Sequence, residues 1–262
     1  MQSQWLSKDL LAGDVAFITG AGSGINQGIA RMLASHGAKV VMMGRRQEKL
    51  DETCRLIEDA GGQAIGVSAD VRDMDAVADA VKQGAEAFGP YSIVVAGAAG
   101  NFMAPAVGIS GGGFAAVIDI DLKGTFHTFR SCFDHFAKDN VRCLAITAPQ
   151  SQMPMPLQSH VCAAKAGVDM LVKTLAMEWG PRQVRVNALS PGFVEGTVGG
   201  ELVSAGQGDK IKQLLPIKRF ASVEEMAQMA VLLCSPLTAY MTGQVVALDG
   251  GTSLLGASGM MA

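Results

Sequence analysis

The sequence predicts an α/β fold: one doubly wound parallel sheet of about seven strands, covered by helices on both faces, in a single domain. Three observations carry that prediction. Short apolar runs alternate with longer segments of helical period along the whole chain. A glycine cluster, Gly20-Ala21-Gly22-Ser23-Gly24, marks the first strand-to-helix junction. No linker, repeat or low-complexity tract interrupts the 262 residues. Alternation of β and α favours parallel order, because each helix is a crossover that returns the chain to the same end of the sheet. A parallel sheet is buried on both faces, and 49 % hydrophobic against 17 % charged residues suits it.

The elements follow in order. Val15-Ala16-Phe17-Ile18-Thr19 is an apolar run of strand length, and the glycines after it open a helix over 24–36. Strands are then expected at 39–43, 64–68, 92–96, 141–147, 185–189 and 245–248, with helices at 46–60, 73–88, about 112–137, 158–180 and 223–234. One stretch, 192–221, breaks the rhythm. It is rich in glycine at first and then carries Lys210, Lys212, Lys218 and Arg219. Long irregular insertions in compact domains serve as lids or binding loops, so this one is expected to cover a substrate.

Bulk properties exclude several classes. A net charge of −3 without a basic block argues against nucleic acid as a partner. No apolar run is long enough to span a membrane. The start, Met1-Gln2-Ser3-Gln4-Trp5, lacks the basic and apolar regions of a signal peptide, and the end, Gly259-Met260-Met261-Ala262, is not a peroxisomal address. A cytoplasmic setting is the expectation. Cys54, Cys132, Cys143, Cys162 and Cys234 form no C-x-x-C pair and read as reduced thiols, so no metal site is predicted.

The first turn, Thr19-Gly20-Ala21-Gly22-Ser23-Gly24-Ile25-Asn26, has the spacing T-G-x-x-x-G-x-G with asparagine in the last place. Such glycines let the backbone turn tightly and bring N–H groups against a pyrophosphate at a helix N-terminus, which makes the fold Rossmann-type. Gly20, Ser23, Gly24 and Ile25 are therefore the first candidate cofactor residues. At the end of the second strand, NAD binding calls for a carboxylate on the ribose 2′-hydroxyl. Here the chain reads Met43-Gly44-Arg45-Arg46. A guanidinium binds a 2′-phosphate through charge-assisted bidentate hydrogen bonds, so Arg45 points to NADPH/NADP+.

With these pieces placed, the chain resembles the short-chain dehydrogenase/reductase family from Asp14 to about Gly256. The resemblance includes Asp70-Val71 after the third strand, Gly97-Ala98-Ala99-Gly100 after the fourth, and Arg185-Val186-Asn187 followed by Pro191-Gly192. It implies that Asp70 and Val71 flank the adenine and that Gly97, Pro191 and Gly192 belong to the cofactor cleft. It also implies that Val194 and Thr197 meet the nicotinamide carboxamide. Of the family's catalytic Asn, Ser, Tyr and Lys, only the lysine remains, as Lys165. The other positions hold Asp121, Ala148 and Val161. Ordinary carbonyl reduction needs a phenol to protonate an alkoxide, and neither valine nor alanine supplies a proton.

The departures resemble one branch, the peroxisomal-type 2,4-dienoyl-CoA reductases. The matching segments include Ala98-Ala99-Gly100-Asn101-Phe102, Ile118-Asp119-Ile120-Asp121, His160 with Ala164-Lys165-Ala166, and Tyr240-Met241-Thr242-Gly243 leading to Asp249-Gly250-Gly251. In that branch two aspartates and the lysine hold a water that supplies the proton; the roles fall to Asp121, Asp249 and Lys165. The lysine also binds the nicotinamide ribose. Mitochondrial-type relatives use a tyrosine fifteen residues before the lysine, where this chain has Gln150.

The resemblance further implies an acyl thioester substrate, CoA in the first instance, contacted by Asn101, Phe102 and His160, and a homotetramer. Met153 and Met155 are candidates for an acyl pocket. Lys210, Lys212, Lys218 and Arg219 serve equally as CoA-phosphate ligands or as a solvated cluster. Asp249 serves equally as a catalytic group or as the start of an Asp-Gly turn, and His160 reads as a packed or substrate-facing residue. Two positions depart from the branch: Asn26 stands for the last turn glycine, and Ala96 for an asparagine. Two other functions stay open, a catalytically silent NADP(H)-binding protein and a reductase of another conjugated carbonyl.

Overall fold

The computed structural model describes residues 6–197 and 206–255. The first five residues, residues 198–205 of the expected lid and the last seven residues, Gly259–Ala262 among them, lie outside the described residues. Seven strands are seen: β1 (Val15–Thr19), β2 (Lys39–Gly44), β3 (Gln63–Ser68), β4 (Ile93–Ala96), β5 (Val141–Ile146), β6 (Val184–Pro191) and β7 (Val245–Leu248). They form one sheet in the order β3-β2-β1-β4-β5-β6-β7, every pair parallel.

The helices are α1 (Gly24–Ser35), α2 (Gln47–Glu58), α3 (Met74–Phe88), α4 (Gly111–Val117), α5 (Gly124–Phe133), α6 (Ser159–Trp179), α7 (Gly208–Leu214) and α8 (Val223–Leu233). Side chains alternate across the pleat and divide between two cores. Ala16 and Ile18 of β1 join Ile29, Leu33 and Val231 on the face of α1 and α8. Val15 and Phe17 join Val81, Phe129 and Val172 on the face of α3, α5 and α6. The strand order reverses where β1 lies between β2 and β4, so the loops at the C-terminal ends of these strands part and leave a crevice.

The helix expected at about 112–137 is not one uniform helix. A π-helical segment, Ile118–Lys123, separates α4 from α5. Its far end stops at Phe133, because Tyr91 takes the following backbone: its N–H donates to His135 O at 2.9 Å, and Ala137 N–H donates to Tyr91 O at 2.8 Å. Apolar periodicity does not report such a competing pairing. The segment expected to be irregular carries the short helix α7, after the residues outside the description.

Helix α8 opens with a capping box. Ser222 Oγ accepts from Glu225 N–H, and Glu225 Oε2 accepts from Ser222 N–H at 2.8 Å. Arg219 adds a two-pronged bond to the same carboxylate, at 2.6 and 2.8 Å. The Arg219 bond, helped by Ser222, holds the Glu225 carboxyl down at about 2 against an ordinary 4.5. A depressed carboxyl stabilises the fold above its unfolded value and loses that contribution as pH falls through the folded one. Glu225→Gln is therefore expected to lower stability by about 1 kcal/mol or less at pH 7. The deficit should shrink between pH 4.5 and about 2 in urea titrations; a deficit independent of pH would contradict the assignment.

Candidate active site

The π-helical segment positions the first functional side chain. A π turn widens the helix by one residue and is common at functional sites. It carries Asp121, which is 1 % exposed. A buried carboxylate needs a partner for each oxygen. Oδ1 accepts from the Gly100 N–H at 2.7 Å, and Oδ2 lies 3.0 Å from the Nζ of Lys165. Lys165 stands on α6, is also buried, and donates to the Ile146 carbonyl at 3.0 Å. An ammonium has three donors; among the described residues the protein uses two of these, and the side chain borders a pocket.

That pocket, of about 260 Å³, opens at the strand ends beside the pair. Its walls include Ile146, Ala148, Met155, Val161, Phe193 and Val194. Val161 and Ala148, in the expected tyrosine and serine positions, both face it. Asp121 and Lys165 are its only ionisable lining residues among those described. No group of three metal-ligating side chains occurs among the described residues.

A groove of about 350 Å³ adjoins the pocket. It brings together Gly20, Ser23, Gly24, Arg45, Asp70, Val71, Gly97 and Thr197. Of the other cofactor candidates, Ile25, Lys165, Pro191, Gly192 and Val194 line the pocket, and Thr197 lines both. Gly20 has φ +72°, and a Cβ there would sit 2.9 Å from Ala98 Cα, so the turn and the β4 loop meet only if residue 20 is glycine. Ser23 leads into α1 without a side-chain cap, which leaves first-turn N–H groups available to an anion. Arg46 and Lys49 stand beside Arg45 in the groove. Lys49 was not singled out in the sequence; it lies in the first turn of α2, just after Arg45 and Arg46, which precede the helix in non-helical backbone. Asp70 is held by Arg72, at 2.6 Å, and that hydrogen bond keeps its carboxyl below the usual range. The glycine cradle, the free helix N-terminus and the three cations fit a dinucleotide with an added phosphate.

Asn26 lies where groove and pocket join. Its Nδ2 donates to the Gly97 carbonyl at 2.6 Å, and a Cβ on Gly97 would fall 2.2 Å from its Oδ1. The asparagine thus fills room that glycine at 97 leaves, beside Ala96.

Asp249 is not among the described residues that line this pocket. Its carboxylate accepts from Gly251 and Ser253 N–H, at 2.9 and 2.8 Å, and it borders a smaller cavity with Phe193, Ile217 and Glu225. Burial pushes this carboxyl up, but the Ser253 and Gly251 hydrogen bonds outweigh it and leave it lowered. The turn they make places Thr252 against the main pocket. Of the substrate candidates, Asn101 lines the pocket, whereas His160 is fully buried behind it, its ring 4.2 Å from that of Phe102. Met155 lines the pocket and Met153 does not. Among the four lid cations, Lys212 pairs with Glu195 at 3.2 Å, Arg219 with Glu225, and Lys218 donates to Gln213 O. Cys132, Cys143 and Cys234 are buried, which pushes their thiols well up and makes them inert.

A family model described as enoyl-(acyl carrier protein) reductase matches residues 20–253. The peroxisomal 2,4-dienoyl-CoA reductase of Rattus norvegicus is 40 % identical over 248 residues, 93 % of this chain and 85 % of that protein. The chain belongs to the short-chain dehydrogenase/reductase family. The peroxisomal 2,4-dienoyl-CoA reductase of Saccharomyces cerevisiae is 37 % identical over 95 % of this chain and 87 % of its own. Among solved structures, a short-chain dehydrogenase of Bacillus anthracis superposes with a TM-score of 0.83 at 36 % identity, covering 91 % of this chain and 96 % of that one. A short-chain dehydrogenase/reductase of Serratia marcescens gives 0.87 at 28 %, covering 93 % and 99 %. Membership in this oxidoreductase family implies a nicotinamide cofactor, which the groove suits. No helix among the described residues is long and apolar enough to cross a membrane.

Proposed function

We propose that the chain is an NADPH-dependent reductase of a conjugated dienoyl thioester, with its proton supplied by a water held at Asp121 and Lys165. The observation that carries this reading is the buried Asp121–Lys165 pair at a pocket with no other ionisable lining group among the described residues. A localised alkoxide formed there would find no phenol to protonate it. A dienoyl thioester avoids that need. Hydride arriving at C5 sends the electron pair through the conjugated system to the thioester oxygen as an extended enolate, and oriented donors stabilise that charge. Protonation at C2 then leaves the double bond between C3 and C4, consistent with the (3E)-enoyl-CoA product in the relatives' names.

NADPH, when bound, supplies the hydride. Arg45, Arg46 and Lys49 would hold its 2′-phosphate, and the Gly20–Ile25 turn its pyrophosphate. The Lys165 ammonium has an N–H left for the nicotinamide ribose or the water, while the Asp121 carboxylate fixes the lysine and orients that water. The water gives its proton to C2 and regains one from solvent. Asp249 acts indirectly, by shaping the turn that sets Thr252 at the pocket. The homotetramer belongs to the same reading; Phe126 on α5 and Met170 and Met177 on α6 leave apolar surface for it.

The test is NADPH consumption by the purified protein with 2,4-hexadienoyl-CoA, beside a simple ketone and crotonyl-CoA. Turnover is expected with the dienoyl thioester and none with the ketone. NADPH binding without turnover would favour a silent binding protein. Turnover confined to conjugated carbonyls lacking CoA would move the substrate class.

A further inference from the structure

Phe193 stands between two cavities. Among the described residues it alone borders both the main pocket and the smaller cavity, of about 70 Å³. The two are one layer apart: a Cβ on Gly192, which lines the pocket, would fall 2.6 Å from the Cα of Asp249, which borders the smaller cavity. Apolar side chains wall that cavity, from Leu215, Ile217, Ala221, Met226 and Leu248. Its three charged neighbours are turned to other partners. Arg219 and Glu225 pair with each other, and Asp249 takes the Gly251 and Ser253 N–H groups. Gly250 and Gly251 have φ of +60° and +85°, and Cβ atoms there would lie 2.7 Å from Ile217 and 2.6 Å from Pro216. Glycine at both positions thus lets the 216–217 segment close over the end of β7. A cavity walled this way offers water few hydrogen bonds. An alkyl segment would gain apolar contact there without displacing strongly held water.

The ring between the two spaces is held in place. Phe193 stacks on Phe220, with centroids 5.2 Å apart and planes 17° from parallel. Lys212 Nζ lies 5.0 Å from the Phe220 centroid and pairs with Glu195, so the stack is covered by a cation that is itself anchored. The backbones are joined as well: Ala221 N–H donates to Phe193 O and Glu195 N–H to Ala221 O, both at 2.9 Å. Phe193 is therefore a fixed partition and not a freely turning side chain.

We propose that Phe193 sets the length of acyl chain that the pocket accepts, by closing off the apolar cavity that would otherwise take the distal methylenes. This rests on the proposed reductase reading and deepens it. Selection acts on the saturated end of the chain, beyond the conjugated carbons, so hydride transfer and the Asp121–Lys165 pair are untouched. A chain that ends before the ring binds without disturbing it. A longer one must displace a stacked aromatic or fold back on itself, and either costs binding energy.

The test compares 2,4-hexadienoyl-CoA with 2,4-decadienoyl-CoA. Phe193→Ala is expected to raise the kcat/KM ratio of the ten-carbon to the six-carbon substrate by about 10-fold or more, the weight of a single methylene in an apolar pocket. Phe193→Leu keeps an apolar wall of shorter reach and should raise the ratio less. Ala221→Leu added to Phe193→Ala refills the cavity from another wall and should return the ratio toward the wild-type value. General loosening of the lid would move both substrates together, and Ala221→Leu would not reverse it. A second arm needs no turnover: the Kd values of saturated hexanoyl-CoA and decanoyl-CoA, measured by calorimetry with NADP+ present, should shift in the same sense.

A ten-to-six ratio that Phe193→Ala leaves unchanged in the binding arm overturns the proposal. So does a raised ratio that survives Ala221→Leu, which would place the tail elsewhere. Equal loss of affinity for both chain lengths in Phe193→Ala would mean that the thioester arm, and not the acyl tail, passes the ring, and overturns it too. Failure of the wild-type protein to reduce either dienoyl thioester counts against the reductase reading alone, since the binding arm still compares the two chain lengths.

Discussion

Lys165→Ala is expected to reduce NADPH-dependent turnover by about 1,000-fold or more, by removing both the partner of Asp121 and a donor to water and cofactor. It should also weaken NADPH binding and lower stability. The Asp121 carboxylate is 1 % exposed and would keep one hydrogen bond, from Gly100, but no cation. Breaking a buried ion pair from one side costs about 3–5 kcal/mol, because the remaining charge is left uncompensated. Asp121→Ala is the mirror case, stranding the ammonium with the Ile146 carbonyl as its described partner. The double variant, Lys165→Ala with Asp121→Ala, should therefore be more stable than either single one while equally inactive. Urea midpoints, NADPH oxidation and fluorescence titration of NADPH read the three effects separately. Retained turnover in Lys165→Ala would remove the lysine from the mechanism.

Arg45→Glu is expected to invert the cofactor preference. In the wild-type protein, NADPH should bind more tightly than NADH. A hydrogen bond to a charged group contributes about 1.5–3 kcal/mol, and loss of the Arg45 pair should cost NADPH about 10- to 100-fold in Kd. The glutamate adds repulsion of the 2′-phosphate and an acceptor for the free 2′-hydroxyl of NADH. Arg45→Ala should be milder, because Arg46 and Lys49 remain in the groove. The ratio of the two dissociation constants checks this in wild type and both variants. Equal affinities in wild type would remove the 2′-phosphate reading altogether.

Much of the scaffold was legible before any coordinates. All seven strands lie within a few residues of their expected places. The central β1 and β4 are fully buried and write unbroken apolar runs, whereas the edge strands β3 and β7 are only partly buried and were legible from their place in the β–α alternation. The family was legible too, through the glycine turn and the motifs after β4 and β6, and the relatives bear it out. Where the reading fell short, a distant partner decided the outcome. The end of α5 was set by Tyr91, more than forty residues earlier, and the π turn inside the 112–137 helix left no periodic trace.

The site divides in the same way. Arg45 and Lys165 could be singled out in the sequence because a cation at the end of a second strand, or a lysine in a family motif, needs no knowledge of its neighbours. Asp249 could not be assigned, since an Asp-Gly-Gly run is both a turn and an acid; the structure engages its carboxylate with Gly251 and Ser253. His160 likewise reads as polar and near the lysine, yet the fold lays it against Phe102, away from the pocket wall.

By itself, the sequence determined the order of strands and helices, the absence of tyrosine and serine from the expected catalytic positions, and the cations at the end of β2. Tertiary structure alone decided which carboxylate meets Lys165 and which side chains reach the pocket. Residue identity and local period fix what a segment can bury and what chemistry it carries. Hydrogen-bond partners and ion pairs are chosen by approaches between segments far apart in the chain, and those exist only once the sheet has brought its strand ends together.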